Sequence, residues 1–170
     1  MALQILWLNL ITDGLPALAL GVDPAEPNVM KRKPRHSKES IVKRILMFAI
    51  VSGVMNFIIL MTVFVTELDK GIIHARTMAF TTSVIFELIL VFSARSNENI
   101  FKSKPFANKF LLFAVASSIL LQLVTIYNPL FQTIFQTTAL TMMNWAKIIM
   151  LSGIGVLIID STKSIHARSR

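Results

Sequence analysis

Residues 1–22 contain a single charge, Asp13, set in the run Asn9-Leu-Ile-Thr12-Asp13-Gly14-Leu-Pro16. If this apolar segment lies in a bilayer, an aspartate at its centre costs roughly 2.5 to 3.5 kcal/mol by insertion scales, so the charge needs a partner. On an α-helix Asn9, Thr12 and Asp13 stand at i, i+3 and i+4 and project from one face. Pro16 has no N–H, which in α-helical register releases the carbonyl of Thr12, and Gly14 loosens the same turn. Three oxygen-bearing side chains and a released carbonyl around one negative charge outline a site for a hard cation. The plainer reading of the same residues is a polar contact between helices, with Asp13 neutralised by protonation.

The elements that must position these residues are apolar ones. Hydrophobic residues make up 54% of the 170 residues and charged residues only 15%. Mean hydropathy is +0.67. A soluble bundle of this size lacks the polar surface to cover such a composition, so the chain is predicted to be an all-α integral membrane protein. Five spans are expected, at about 3–22, 45–66, 77–94, 110–127 and 141–159, in one membrane domain covering 1–170. The first is interrupted at Gly14 and Pro16, and residues 23–44 form a connector with Pro24, Pro27 and Pro34. Asn128-Pro129 is a turn signal that ends the fourth span. No basic segment precedes the first apolar run, which is therefore not read as a signal peptide.

Basic residues alternate between loops. Lys31, Arg32, Lys33, Arg35, Lys38, Lys43 and Arg44 follow span one, Arg95, Lys102, Lys104 and Lys109 follow span three, and Lys163, Arg168 and Arg170 follow span five. Residues 67–76 are nearly balanced and 128–140 carry no charge. The positive-inside rule then predicts an outside N-terminus and a cytoplasmic C-terminus. The net charge of +8 follows this loop pattern, which argues for a lipid bilayer as partner and against nucleic acid. With no cysteine, thiolate metal sites and disulfides are excluded.

Other polar residues fall inside the spans. Glu87 stands mid-span with Ser83 one turn before it on the same face. It reads either as a protonated carboxyl bonded to such a neighbour or as a ligand or proton carrier. Asn56 and Gln122 read as interhelical hydrogen bonds. Gly53, Gly153 and Gly155 are expected to permit close helix contact. Trp7, Tyr127 and Trp145 are expected at the interfaces, Lys147 to snorkel outward, and Asp160 to be solvated.

The run Leu6-Trp7-Leu-Asn9-Leu-Ile-Thr12-Asp13-Gly14-Leu15-Pro16-Ala17-Leu-Ala-Leu-Gly21-Val-Asp23-Pro24 closely resembles the sixth transmembrane helix of calcium-type P-type ATPases. Met30-Lys-Arg-Lys-Pro34-Arg35 resembles the basic loop that follows it, and the rest of the chain resembles, more weakly, helices seven to ten. The resemblance implies a cation-pump C-terminal membrane domain with Ca2+ as the transported ion. It implies that Asn9, Thr12 and Asp13 coordinate cations, the aspartate bridging two ions, and that Glu87 completes the second site. It also implies a separate upstream half: the phosphorylated aspartate in its Asp-Lys-Thr-Gly-Thr run, the nucleotide and actuator domains, and the fourth and fifth helices. None of these has a match here, so no nucleotide site and no ATP hydrolysis are expected of this chain alone. Location in the plasma membrane, or an organelle membrane, is expected. Two other classes fit the residues: a stand-alone subunit or regulator pairing with a catalytic chain, and a channel or secondary transporter formed by an oligomer.

Overall fold

The computed structural model describes residues 2–23, 41–95 and 107–168, and every regular element among them is helical. The apolar run at the N-terminus is a helix in three pieces: α1 (Ala2–Trp7), a π-helical segment (Leu8–Gly14) and α2 (Leu15–Gly21). Then follow α3 (Ile41–Thr66), α4 (Ile72–Ala94), α5 (Lys109–Tyr127), the short α6 (Pro129–Phe135) and α7 (Met142–Arg168). Among the described residues five helices are long and apolar enough to cross a membrane: Ala2–Gly21, Ile45–Thr66, Ile72–Ala94, Lys109–Tyr127 and Met142–Thr162. Most of the expected connector, with Lys31 to Lys38, and most of the second basic loop, with Lys102 and Lys104, lie outside the described residues.

The termini of the elements follow local chemistry. Asn108 caps α5 by accepting from the Leu111 N–H at 3.0 Å. Asn128 accepts from the Leu130 N–H at 3.0 Å, and Pro129 follows at the first helical position, where a missing N–H costs nothing. Asn128-Pro129 therefore ends α5 and also starts α6, a helix the turn signal alone did not announce. Gln136 closes α6 in the left-handed conformation at φ 51°. The third span begins at Ile72, five residues earlier than expected. Gly71, at φ 106°, makes the turn, and His74 and Arg76 then extend the helix beyond its apolar core.

α4 is the central helix and the most buried of the five spans. One core joins α3, α4, α5 and α7 through Ile59 and Val63, Met78 and Phe86, Ile126, and Ile148 and Val156. Gly155 is the glycine this packing requires: a Cβ there would overlap Cδ1 of Ile59 and stand 3.1 Å from Cε2 of Phe86. Gly53 and Gly153 have no neighbour within 4 Å of such a Cβ, so the expected close contact rests on Gly155 alone. Two smaller clusters seat the first span. Ala19 packs on Leu111 and Ala114 of α5, while Trp7 and Leu8 pack on Phe80, Val84 and Leu88 of α4.

Many polar groups between helices are paired, and several sit differently from expectation. Trp7 turns its ring inward, donating to Gln122 Oε1 at 3.2 Å and packing edge-on against Phe135. Trp145 and Tyr127 bond to each other, and Tyr127 donates on to the Leu140 carbonyl. Lys147 does not snorkel free. Its ammonium pairs with Glu67, which Lys70 also reaches at 2.8 Å. Burial would raise the Glu67 carboxyl, but hydrogen bonds from Lys147 and Lys70, with their charges, bring it down to about 2. Asp160 is buried, not solvated, and accepts from Ser93 at 2.9 Å. At the opposite end of α4 from Glu67, Arg95 pairs with Asp23 at 2.6 Å, and Asn108 bonds both Asp23 and the Ala19 carbonyl at 2.9 Å.

Candidate cation site

Asn9, Thr12 and Asp13 all lie in the π-helical segment, where backbone bonds run from i to i+5 and each turn takes up an extra residue. Such turns inside α-helices recur at functional sites, since they misalign the ladder locally and free backbone groups. The sequence offers two causes: Pro16 removes one N–H, and Gly14 adds backbone freedom. In this register the carbonyl matched to Pro16 is that of Ile11, not of Thr12 as α-helical spacing implies. The released group does have a partner: Ser118 of α5 donates to the Ile11 carbonyl at 2.9 Å. A carbonyl left unpaired in an apolar interior would cost about 1–3 kcal/mol, so Ser118 makes the break tolerable.

The three side chains do not share one environment. Thr12 is 4% exposed and faces α4, with its hydroxyl 2.8 Å from Glu87 Oε2. The same hydroxyl also reaches the Leu8 carbonyl. Asn9 and Asp13 are exposed, and among the described residues neither has a side-chain hydrogen-bond partner. The single face read from spacing is therefore split: Thr12 binds inward to the bundle, while Asn9 and Asp13 open outward. Glu87 is held on its other oxygen by Ser83, which donates to Oε1 at 3.1 Å. The Ser83–Glu87 pair follows from their one-turn spacing. The Thr12–Glu87 contact, 75 residues apart in sequence, is a product of packing.

This arrangement offers a carboxylate on each of two helices, with the Thr12 hydroxyl against one of them. Among the described residues no three His, Cys, Asp or Glu side chains gather as a metal-binding group. A hard cation that takes six to eight oxygens would find only part of its shell here, from Asp13, Asn9, Thr12 and Glu87. Sequence reasoning passed over Ser118 and the inward turn of Trp7. A signal for the former exists: Ser118, Gln122 and Thr125 recur at i, i+4 and i+7 on α5, and all three are fully buried. Gln122 also donates to Thr81 Oγ1 at 3.3 Å, so the α5 polar stripe faces α4 and the first span.

Comparison with known proteins gives one family. The family described as cation transporting ATPase, C-terminus, matches residues 1–165. The calcium-transporting ATPase of Bacillus subtilis (strain 168) is 46% identical over 157 residues, which cover 89% of this chain and 18% of that protein. Calcium-transporting ATPase 1 of Bacillus cereus is 37% identical over 180 residues, 95% of this chain and 20% of that protein. The human calcium-transporting ATPase type 2C member 1 is 35% identical over 173 residues, 99% of this chain and 19% of that protein. The chain thus spans about one fifth of the length of these curated relatives.

Proposed function

Because this chain belongs to the family of cation-transporting ATPase C-termini, we propose that it supplies part of a transmembrane Ca2+ site and braces the helices around it. The observation that carries this reading is the Thr12–Glu87 contact at 2.8 Å beside the outward-facing Asn9 and Asp13. Asp13 and Glu87 contribute charge, and Asn9 and Thr12 contribute neutral oxygens, to an ion that is the cargo of the pump. The names of the relatives favour calcium. The rest of the shell comes from an upstream half of the pump, which also covers the apolar outer face of the first span at Leu3, Ile5, Leu6, Leu10 and Leu18. Phosphorylation in that half shifts the site between access states, and this chain responds without driving the change. The N-terminus lies outside and the C-terminus in the cytoplasm, in a plasma or organelle membrane.

A π-helical segment suits such a role. Its backbone ladder is already out of register, so Asp13 and Asn9 can move toward an ion without breaking a regular helix. Ser118 anchors the segment at Ile11, and the Asp23–Arg95–Asn108 group anchors the end of α2. ATP-driven 45Ca2+ uptake by the complete pump in vesicles tests the reading. Glu87→Gln is expected to lower Ca2+ affinity by about 10-fold or more, the scale of losing a charged interaction. Wild-type affinity in Glu87→Gln would remove Glu87 from the site.

A further inference from the structure

Glu87 is tied to a helix that provides none of the proposed ligands. Asn56 lies on α3, and its amide Nδ2 is 3.4 Å from Ser83 Oγ. Ser83 in turn is 3.1 Å from Glu87 Oε1. With Glu87 ionised, as a cation ligand must be, the hydrogens in this chain have one consistent order. A carboxylate oxygen accepts, so the single Ser83 hydrogen goes to Glu87, and Ser83 then presents only lone pairs to its other neighbour. The Asn56 side chain meets them with its N–H, which leaves its Oδ1 buried and without a hydrogen-bond partner. An amide that leaves a buried oxygen unpaired in order to donate to Ser83 is held by that donation.

We propose that Asn56 is a positioning residue for the Glu87 carboxylate, acting through the Ser83 hydroxyl. Asn56 fixes the Ser83 rotamer, Ser83 holds Oε1 on the α3 side, and Oε2 is thereby turned toward Thr12 and the π-helical segment. Oε1 is held by Ser83, which α3 reaches through Asn56, and Oε2 faces the Thr12 hydroxyl of the first span, whose one hydrogen is shared with the Leu8 carbonyl. A displacement of α3 against α4 changes the orientation of Glu87 without touching the cation. This inference rests on the proposed cation site, since it assigns Asn56 a part in positioning one of that site's ligands.

The test is Ca2+ activation of ATP hydrolysis by the complete pump, measured for Asn56→Leu, Asn56→Ala, Ser83→Ala, the double variant Asn56→Leu/Ser83→Ala, and Asp13→Asn. Asn56→Leu and Asn56→Ala are each expected to raise the free Ca2+ for half-maximal activity by about 3- to 20-fold, which corresponds to an interhelical hydrogen bond of about 0.6–1.7 kcal/mol. The maximal rate is expected to stay within about twofold, because positioning acts on affinity. The double variant is expected to be no worse than Ser83→Ala, since both substitutions cut the same chain. Unchanged half-activation in both Asn56 variants, or shifts that add to that of Ser83→Ala, would overturn the proposal. Asp13→Asn separates the two levels of the argument. If it loses Ca2+ activation while Asn56 variants are normal, the site stands and Asn56 has no part in it. If it activates like wild type, the site reading itself falls.

Discussion

Ser118 illustrates how one hydroxyl can license an irregular backbone. The π-helical register releases the Ile11 carbonyl opposite Pro16, and Ser118 is the donor that reaches it. Ser118→Ala is therefore expected to destabilise the bundle by about 1–2 kcal/mol, read as a lower thermal unfolding midpoint in detergent. Ser117→Ala is the matched control. Its hydroxyl is exposed and bonds only its own helix at Phe113, so little change is expected. Equal midpoints for the two variants would mean that the Ile11 carbonyl needs no partner. At this scale the sequence was legible where spacing alone decides, as for Ser83 and Glu87 one turn apart. The partner of Thr12, Glu87, and the register of its turn depend on packing and on a backbone pattern with no simple sequence code.

At the level of elements, α4 is held against α3 and α7 by contacts that differ in kind at its middle and its end. In the middle, Gly155 lets α7 approach Ile59 and Phe86. Gly155→Leu is expected to overpack this junction and destabilise by about 1–3 kcal/mol, whereas Gly153→Leu, facing open space, is expected to be near neutral. Thermal unfolding of the two variants side by side checks this. At the end, Glu67 and Lys147 link α3 to α7. With its carboxyl lowered to about 2 from 4.5, Glu67 adds stability that is present above about pH 4.5 and lost as pH falls toward about 2. Glu67→Gln is expected to remove that part of the acid dependence of unfolding. Lys147→Met is expected to be more damaging than the double variant Glu67→Gln/Lys147→Met, because it leaves the buried carboxylate with Lys70 and His74 but without the partner on its Oε1. Composition and hydropathy located the helices well. They could not foresee that Lys147 pairs with Glu67 at the span end or that Asp160 is buried against Ser93, because a charge near a span end reads the same whether it meets water or a neighbour.

For the whole molecule, five apolar helices and membership of a cation-transporting ATPase family define a multi-pass membrane protein that covers about one fifth of its relatives. The loop charges add a testable orientation. The chain has no cysteine, so single cysteines report topology against a silent background. Lys70→Cys is expected to react with an impermeant maleimide from outside intact cells, and Lys102→Cys only after permeabilisation. The reverse pattern would invert the bundle. The fold class was legible from sequence because a bilayer imposes span length and apolarity on every segment. The proposed site was legible only in part: its residues are divided between helices, and the outward turn of Asn9 and Asp13 follows from packing that spacing does not encode.

In the proposed function Asp13 carries the charge of a cation site. The most direct measurement is 45Ca2+ uptake into vesicles by the complete pump, wild type against Asp13→Asn, at saturating ATP. The substitution keeps the shape and a neutral oxygen while removing the charge. Uptake is expected to fall to background in Asp13→Asn while protein level and thermal unfolding stay at wild-type values. Uptake in Asp13→Asn equal to wild type, at equal protein level, would contradict it.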